Sequence, residues 1–349
     1  MQVEDVREPG AEWDAFVEST AGAMLGHAAA WARVVREAYG LDPCYLAARD
    51  GGGALAGILP LVRFRSLGGQ RALVSMPFLD TGGILARSDD AATALLARAL
   101  HLTREAGARA LELRQSEPLR TLPTPNPTTP VVRSNLVLPL EPGEDEQWKA
   151  LPAKVRNQTR KAEREGLSIA TGDSDQLVGE FYRPFSVNMR DLGSPVHAEG
   201  FYRAAAHHFG ERLRFIVVRN GPRSVGGLVA IRYAGNVTVT WASTLRSERS
   251  RCPNNLIYWE ALRWAVAHGA REFDFGRSRR EAGTYRFKRG WGAEDRPLAW
   301  VRLDPAGDRI ELSSADDHPV LKKLSSLWSR LPVPVSTFLG PRVRRYLAN

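Results

Sequence analysis

Apolar and polar positions along YLAARDGGGALAGILPL (45–61) fall into two short apolar runs around a triplet of glycines, which predicts a strand, a turn and a second strand. The pattern returns in FIVVRNGPRSVGGLVAI (215–231), which aligns with the first stretch without a gap. Arg49 falls on Arg219, Asp50 on Asn220, Gly51 on Gly221 and Gly57 on Gly227. Upstream, at the same spacing, His27 and Trp31 lie over His197 and Phe201 in segments of helical pattern. Downstream, AGARALELRQS (106–116) resembles HGAREFDFGRS (268–278), and both read as a helix end, a Gly stop and a strand. Three matches in one order predict a duplicated αββ…αβ unit of about domain size. The fold class is therefore α/β, with two mixed sheets each flanked by helices. Pro118, Pro123, Pro125, Pro127, Pro130, Pro139 and Pro142 mark a stiff connection, within which VVRSNLVLPL reads as a last strand. The expected division is a first domain over 1–145, a second over 146–303 and a C-terminal extension over 304–349.

A chain of 349 residues, 43% hydrophobic and 25% charged, has room for two cores. Lys and Arg exceed Asp and Glu by 48 to 39, a net charge of +9. That excess suits a polyanion, an acidic membrane face or phosphorylated substrates and does not choose among them. Cys44 and Cys252 are too few for a disulfide framework or a cysteine metal site, which fits a reducing compartment. MQVEDVREPG is acidic where a signal peptide would be basic, and no apolar run reaches the ~20 residues of a membrane span, so a cytoplasmic location is expected. The chain carries no G-x-x-x-x-G-K-[ST], G-x-S-x-G or H-E-x-x-H motif, and its seven His are scattered, so metal catalysis is not expected.

The candidate chemistry is basic. LPAKVRNQTRKAEREG (151–166) predicts a helix with Arg156, Arg160 and Arg164 on one face and Lys154, Asn157 and Lys161 on a neighbouring one, leaving Val155, Thr159 and Ala162 to pack. A solvated face and an anion-binding face are both open readings. FSVNMRDLGSPVH (185–197) brings Asn188, Arg190 and Asp191 to a helix exit, as caps or as groove residues. WAST (241–244), which contains Trp241, ends a strand, and Pro253 with Asn254 or Asn255 opens a helix whose N-terminus can receive an anion or be capped by an Asn. FDFGRSRREAGTYRFKRGWG (273–292) reads as a strand entering a basic Gly-rich loop with Arg277, Tyr285, Arg286 and Lys288, suited to phosphate or carboxylate or simply solvated. In the first repeat, SMPFLDTGG offers Asp80, as a turn former or as an acidic site residue.

SMPFLDTGG, RNQTRKAEREGL, NMRDLGSPV, PNNLIYWEALRWAVAHG, FDFGRS and GTYRFKRGWG together resemble the FemAB-like proteins, closest to the branch associated with exosortase (PEP-CTERM) and exopolysaccharide loci. The resemblance runs from about Trp31 to Trp300, and SRLPVPVSTFLGP in the tail shares it. It implies two tandem GNAT-like domains and transfer of an amino acid from aminoacyl-tRNA to an amine of a peptidoglycan or exopolysaccharide precursor. It implies that Lys288, in the F-K-x-x-[FW]-G motif, recognises phosphate or the tRNA end. Arg156, Arg160 and Lys161 match a helix beside the substrate groove. The coiled-coil arm of some members has no counterpart after residue 166.

An activated ester needs alignment, a place for the amine proton and oxyanion stabilisation rather than a covalent nucleophile. On this reading Asp80, Asp191 and Lys288 form the catalytic set, with Asp80 binding acceptor or taking a proton. Arg156, Arg160, Lys161, Asn188, Arg190, Trp241, Asn254, Arg277, Tyr285 and Arg286 contact substrate. RSLGGQ, RSVGGL, REAGAR and REAGTY all depart from the pyrophosphate loop of CoA-dependent enzymes, so no cofactor is expected and CoA ranks below aminoacyl-tRNA or another acyl carrier as donor. The alternatives are an acyl-CoA-dependent N-acyltransferase acting on an amino sugar, and a non-catalytic GNAT pair that binds polysaccharide machinery or RNA. The tail, rich in Lys and Arg with interspersed Leu324, Leu327, Trp328 and Phe338, fits either a peripheral contact with an anionic membrane or packing on the first domain.

Overall fold

The computed structural model describes residues 1–120, 134–311 and 319–348. Two compact units emerge: Met1–Val131 with Pro297–Ala315 and Val343–Asn349, and Val132–Arg296 with Asp316–Arg342. In chain order the first contributes β1 (Gln2–Val6), α1 (Ala11–Glu18), α2 (Ala30–Tyr39), β2 (Asp42–Pro43), β3 (Tyr45–Arg49), β4 (Leu55–Leu59), β5 (Val62–Arg65), β6 (Arg71–Val74), β7 (Leu85–Ala86), α3 (Asp89–Glu105) and β8 (Ala110–Gln115). There follow β9 (Ser134–Pro139), α4 (Glu144–Ala150), α5 (Ala153–Arg164), β10 (Leu167–Gly172), α6 (Asp175–Asp191), α7 (Glu199–Phe209), β11 (Leu213–Asn220), β12 (Arg223–Tyr233) and β13 (Asn236–Thr244). The remainder is α8 (Pro253–Ala267), β14 (Glu272–Ser278), α9 (Gly283–Arg289), β15 (Glu294–Pro297), β16 (Ala299–Leu303), α10 (Pro319–Trp328) and α11 (Val333–Arg344).

Strand order makes the duplication visible. The second unit's sheet runs β10-β11-β12-β13-β14-β9-β15. In the first unit the order is β1-β3-β4-β7 in one sheet and β16-β8-β6-β5-β2 in the other. Pro60, which has no N–H to give a ladder, lies between β4 and β5; counting these as one broken strand yields β1-β3-β4/β5-β6-β8-β16, the same order as β10-β11-β12-β13-β14-β9. Each unit has a parallel pair, β6 with β8 and β13 with β14, flanked by antiparallel neighbours.

The last strand of each sheet differs from the division expected from sequence. VVRSNLVLPL does supply a strand, β9, but it pairs antiparallel with β14 of the second unit, through Glu272–Pro139 and Phe273–Leu138. β16 pairs antiparallel with β8 of the first unit, from Ala299–Gln115 to Leu303–Leu111. Which edge a strand closes is decided by long-range pairing that apolar alternation does not encode. The stretch 273–292 is also more ordered than a loop, since α9 occupies Gly283–Arg289.

Local chemistry sets the helix ends. Ser88 and Ser174 cap α3 and α6, accepting from Ala91 N at 3.2 Å and Leu177 N at 3.4 Å. α5 buries Val155, Thr159 and Ala162, as its spacing predicts. α8 buries residues all round, including Leu256, Ile257, Tyr258, Trp259 and Leu262, as expected of a helix packed against a sheet and covered on its other side. Among the described residues no helix is long and apolar enough to cross a membrane.

Candidate active site

The parallel ladder between β13 and β14 is short. It pairs Asn236 with Glu272, Val237 with Phe273 and Thr238 with Asp274, and there it ends. β13 continues to Thr244, held on its far side by β12 as far as the Gly226–Thr244 pair. β14 continues to Ser278, held on its far side by β9 through Arg277–Asn135 and Ser278–Ser134. The two strands thus run past the end of their mutual ladder, supported from outside. A bulge in each helps: the β12–β13 register shifts between Val229 and Ala230, and the β14–β9 register between Asp274 and Arg277. Gly276, at φ +78, makes the second shift possible and donates its N–H to Asp274 Oδ1 at 2.7 Å.

Buried polar groups cluster at this opening. Asp274 Oδ2 accepts from Asn135 Nδ2 at 2.8 Å, and both side chains are buried. Lys288 is buried too, its ammonium donating to Gly276 O at 2.9 Å and Arg277 O at 3.1 Å. Ser243, near the end of β13, is 7% exposed, and its hydroxyl meets no hydrogen-bond partner among the described residues. Asn135, Ser243 and Asp274 are not among the site residues expected from sequence. An Asp inside the apolar run FDF was the available signal, because a carboxylate is rarely buried without a partner.

The strand opens toward a helix N-terminus. After β13 a basic 3₁₀ turn over Arg246–Arg251 leads into α8, which follows Cys252 in left-handed conformation (φ 58) and has no side-chain cap. Asn254 is half-buried there, and Asn255 Nδ2 donates to Gln158 Oε1 at 3.3 Å, tying α8 to the basic helix α5. Arg156 donates to the carbonyls of Lys149 and Leu151, closing the C-terminal end of α4. Arg160 lies 5.4 Å over the Trp148 ring, and Trp148 packs at 4.6 Å against Trp259 of α8. Lys161 is exposed.

The other expected residues lie in different settings. Arg190 Nε pairs with Asp191 at 2.8 Å and its Nη1 donates to Leu331 O at 2.9 Å, binding the end of α6 to the segment before α11; Asn188, half-buried, accepts from Leu192 N through its carbonyl. Trp241 is buried edge-on against Phe201 and Tyr202 at 5.4 and 5.3 Å, inside an aromatic core with His197. Tyr285 donates to Asp295 at 2.7 Å, which also accepts from Arg280 at 3.0 Å. Burial works against the Asp295 charge, but these hydrogen bonds outweigh it and hold the carboxyl below its usual range. Arg277 is half-buried and Arg286 exposed.

Asp80 belongs to the first unit, in the loop after β6, where the β6–β8 ladder likewise stops after three pairs, at Val74–Glu112. Its carbonyl accepts from Trp300 Nε1 at 2.8 Å. The loop holds Met76 and Phe78 at φ 49 and 73, costly for residues with a Cβ. The buried Arg114 secures it, donating to Leu79 O at 2.6 Å and to Glu112 at 2.9 Å. Phe78 N in turn donates to Ala348 O at 2.7 Å. The tail therefore does not belong to one domain alone: its last residues join the first unit and α10 the second.

Residues 151–289 match the family described as the acetyltransferase (GNAT) domain. No curated protein matches the chain. Among solved structures, one titled FemX is similar at a TM-score of 0.66 and 13% identity, covering 85% of this chain and 95% of its own. L-PGS from Bacillus licheniformis is similar at 0.53 and 11% identity, covering 93% of this chain and 98% of its own. A tandem GNAT protein from the clavulanic acid biosynthesis pathway is similar at 0.51 and 15% identity, covering 87% and 99%. The chain has the two-domain GNAT fold, and its residues 151–289 are similar to the acetyltransferase (GNAT) domain.

Proposed function

We propose that the chain is an acyltransferase whose second unit binds an activated acyl or aminoacyl group where β13 and β14 part, and passes it to an amine on a phosphorylated cell-envelope or polysaccharide precursor. The observation that carries the reading is the ladder that stops at Thr238–Asp274 while both strands run on, with a bulge in β13 and the start of α8 beyond it. Strand edges past a ladder present N–H and C=O groups that can hold an acyl chain in extended form and polarise its carbonyl. The N-terminus of α8 and Arg246, Arg249 and Arg251 before it suit the phosphate of a donor.

In the reaction the amine nitrogen bonds to the acyl carbonyl carbon, the ester or thioester bond breaks, and the proton the amine loses ends on the departing oxygen or sulfur, which leaves as the donor's free hydroxyl or thiol. Ser243 Oγ is assigned to the bound acyl group. Lys288 acts as a positioning residue: by gripping Gly276 and Arg277 it fixes the end of β14. Within the second unit Asp191 is the acidic candidate for acceptor contact, and Arg160 and Lys161 are candidates for the phosphorylated partner. The Fem-type resemblance, together with the FemX and L-PGS likenesses, favours aminoacyl-tRNA as donor without a bound cofactor. The match of 151–289 to an acetyltransferase domain supports the second reading, an acyl-CoA donor and an amino-sugar acceptor. Labelled amino acid on tRNA and labelled acetyl-CoA, each incubated with the chain and envelope-precursor extract, separate the two. Label from tRNA in a new amide supports the first reading, label from CoA the second, and label from neither refutes acyl transfer.

A further inference from the structure

α10 and α11 are amphipathic in the reverse sense. In α11 the buried residues are Ser336 and Gly340, one turn apart, and Gly340 sits so close to Val196 that a Cβ would press on its backbone. Val335, Phe338 and Leu339 face water instead, with Phe338 62% exposed. These positions and Arg342 follow the spacing of a single helix face. α10 repeats the arrangement, for Ser325 packs where a Cβ on Gly193 would collide, while Leu324 and Leu327 are outside. Leu192, beside Gly193, is 55% exposed. Most exposed large apolar side chains among the described residues gather here, the others being Met1 and Leu67. A monomer seldom leaves such a cluster in water without a use for it.

The charge around this face says what covers it. Lys322, Lys323, Arg330 and Arg342 are exposed, and the sequence has no Asp or Glu from Pro319 to its last residue. The Arg342 guanidinium lies 3.9 Å over the Phe338 ring, an apolar plate with a cationic rim. A second copy placing the same face against this one would bring the cations together. A bilayer surface offers apolar depth and anionic headgroups in one plane, and both helices are too short to cross it. We propose that α10, α11 and Leu192 form a docking face for an anionic membrane surface, which they enter with Leu324, Leu327, Val335, Phe338 and Leu339 while Lys322, Lys323, Arg330 and Arg342 meet the headgroups.

The test is co-sedimentation of the full chain with vesicles of phosphatidylcholine alone and of equal parts phosphatidylcholine and phosphatidylglycerol; it needs no donor and so stands apart from the transfer reading. The chain is expected to bind the mixed vesicles and only weakly the neutral ones. Phe338→Ser and Leu327→Ser should each weaken binding roughly tenfold. Lys322→Gln and Arg342→Gln should each weaken it about fivefold. All four should leave Tm unchanged, because these side chains are already in water. Equal binding to both vesicles, no binding, binding unaffected by the variants, or a marked fall in Tm overturns the proposal. So does a wild-type dimer that Phe338→Ser dissolves while vesicle binding stays absent.

Discussion

Ser243→Ala separates function from folding because its two effects have opposite signs. The Ser243 hydroxyl is buried at the open end of β13 and has no partner among the described residues. A buried hydroxyl left unsatisfied costs roughly 1–3 kcal/mol, so removing one oxygen should leave stability unchanged or raise it. If that hydroxyl instead bonds the bound acyl group, its loss costs about 0.5–1.5 kcal/mol of transition-state binding, or roughly two- to tenfold in kcat/KM. The assay is transfer kinetics with whichever donor gives amide, alongside thermal unfolding of the same preparation. Reduced kcat/KM with Tm equal to or above wild type is expected. Full activity with a Tm several degrees lower would refute the assignment, since the hydroxyl would then be satisfied by the protein itself.

Lys288→Met keeps the side chain's length but removes two charge-assisted bonds to Gly276 and Arg277 carbonyls. After allowing for relief of the buried charge, a loss of about 2 kcal/mol is expected, or roughly 4–8 °C in Tm, with slower transfer at unchanged donor affinity. An unchanged Tm contradicts that role. His27 is neutral and wholly buried, its imidazole pushed down to about 4 from 6.5 chiefly by burial, against hydrogen bonds with Gly83 and Met24. Above pH 6.5 both states are neutral; between 6.5 and 4 only the unfolded chain gains a proton, so about 3 kcal/mol of stability should be lost there. Denaturant unfolding across that window should show His27→Gln with the smaller pH dependence, and parallel curves would contradict it. Arg190→Ala breaks the link from α6 to Leu331 and should cost about 1 kcal/mol, with faster hydrogen exchange in α10 and α11. Unchanged exchange there would show that the link does not hold them.

The duplication was legible because turn glycines and strand patterns are local: Gly51 and Gly221 mark the same hairpin turn in the two units. The inward face of α5 was legible for the same reason, since helical spacing fixes which side chains share a side. The closing strands β9 and β16 were not, because their partners lie far away in sequence. α9 was read as loop because Gly283 and Gly290 bracket it. The site was only half legible. Basic residues announced an anion, but Lys288, Arg156 and Arg190 bond backbone carbonyls that no side-chain pattern records. Trp241, expected to contact substrate, lies in the aromatic core with Phe201 and Tyr202. Ser243 and Asp274 were hidden inside apolar strands.

On the proposed function, the gap opened by the short β13–β14 ladder receives the acyl donor. Hydrogen exchange of the full chain, with and without aminoacyl-tRNA or acyl-CoA, addresses it most directly. With the donor that supports transfer, backbone amides in 239–244, 275–278 and the first turn of α8 should exchange more slowly. Protection confined to other segments, with these three exchanging as in the free chain, would contradict it.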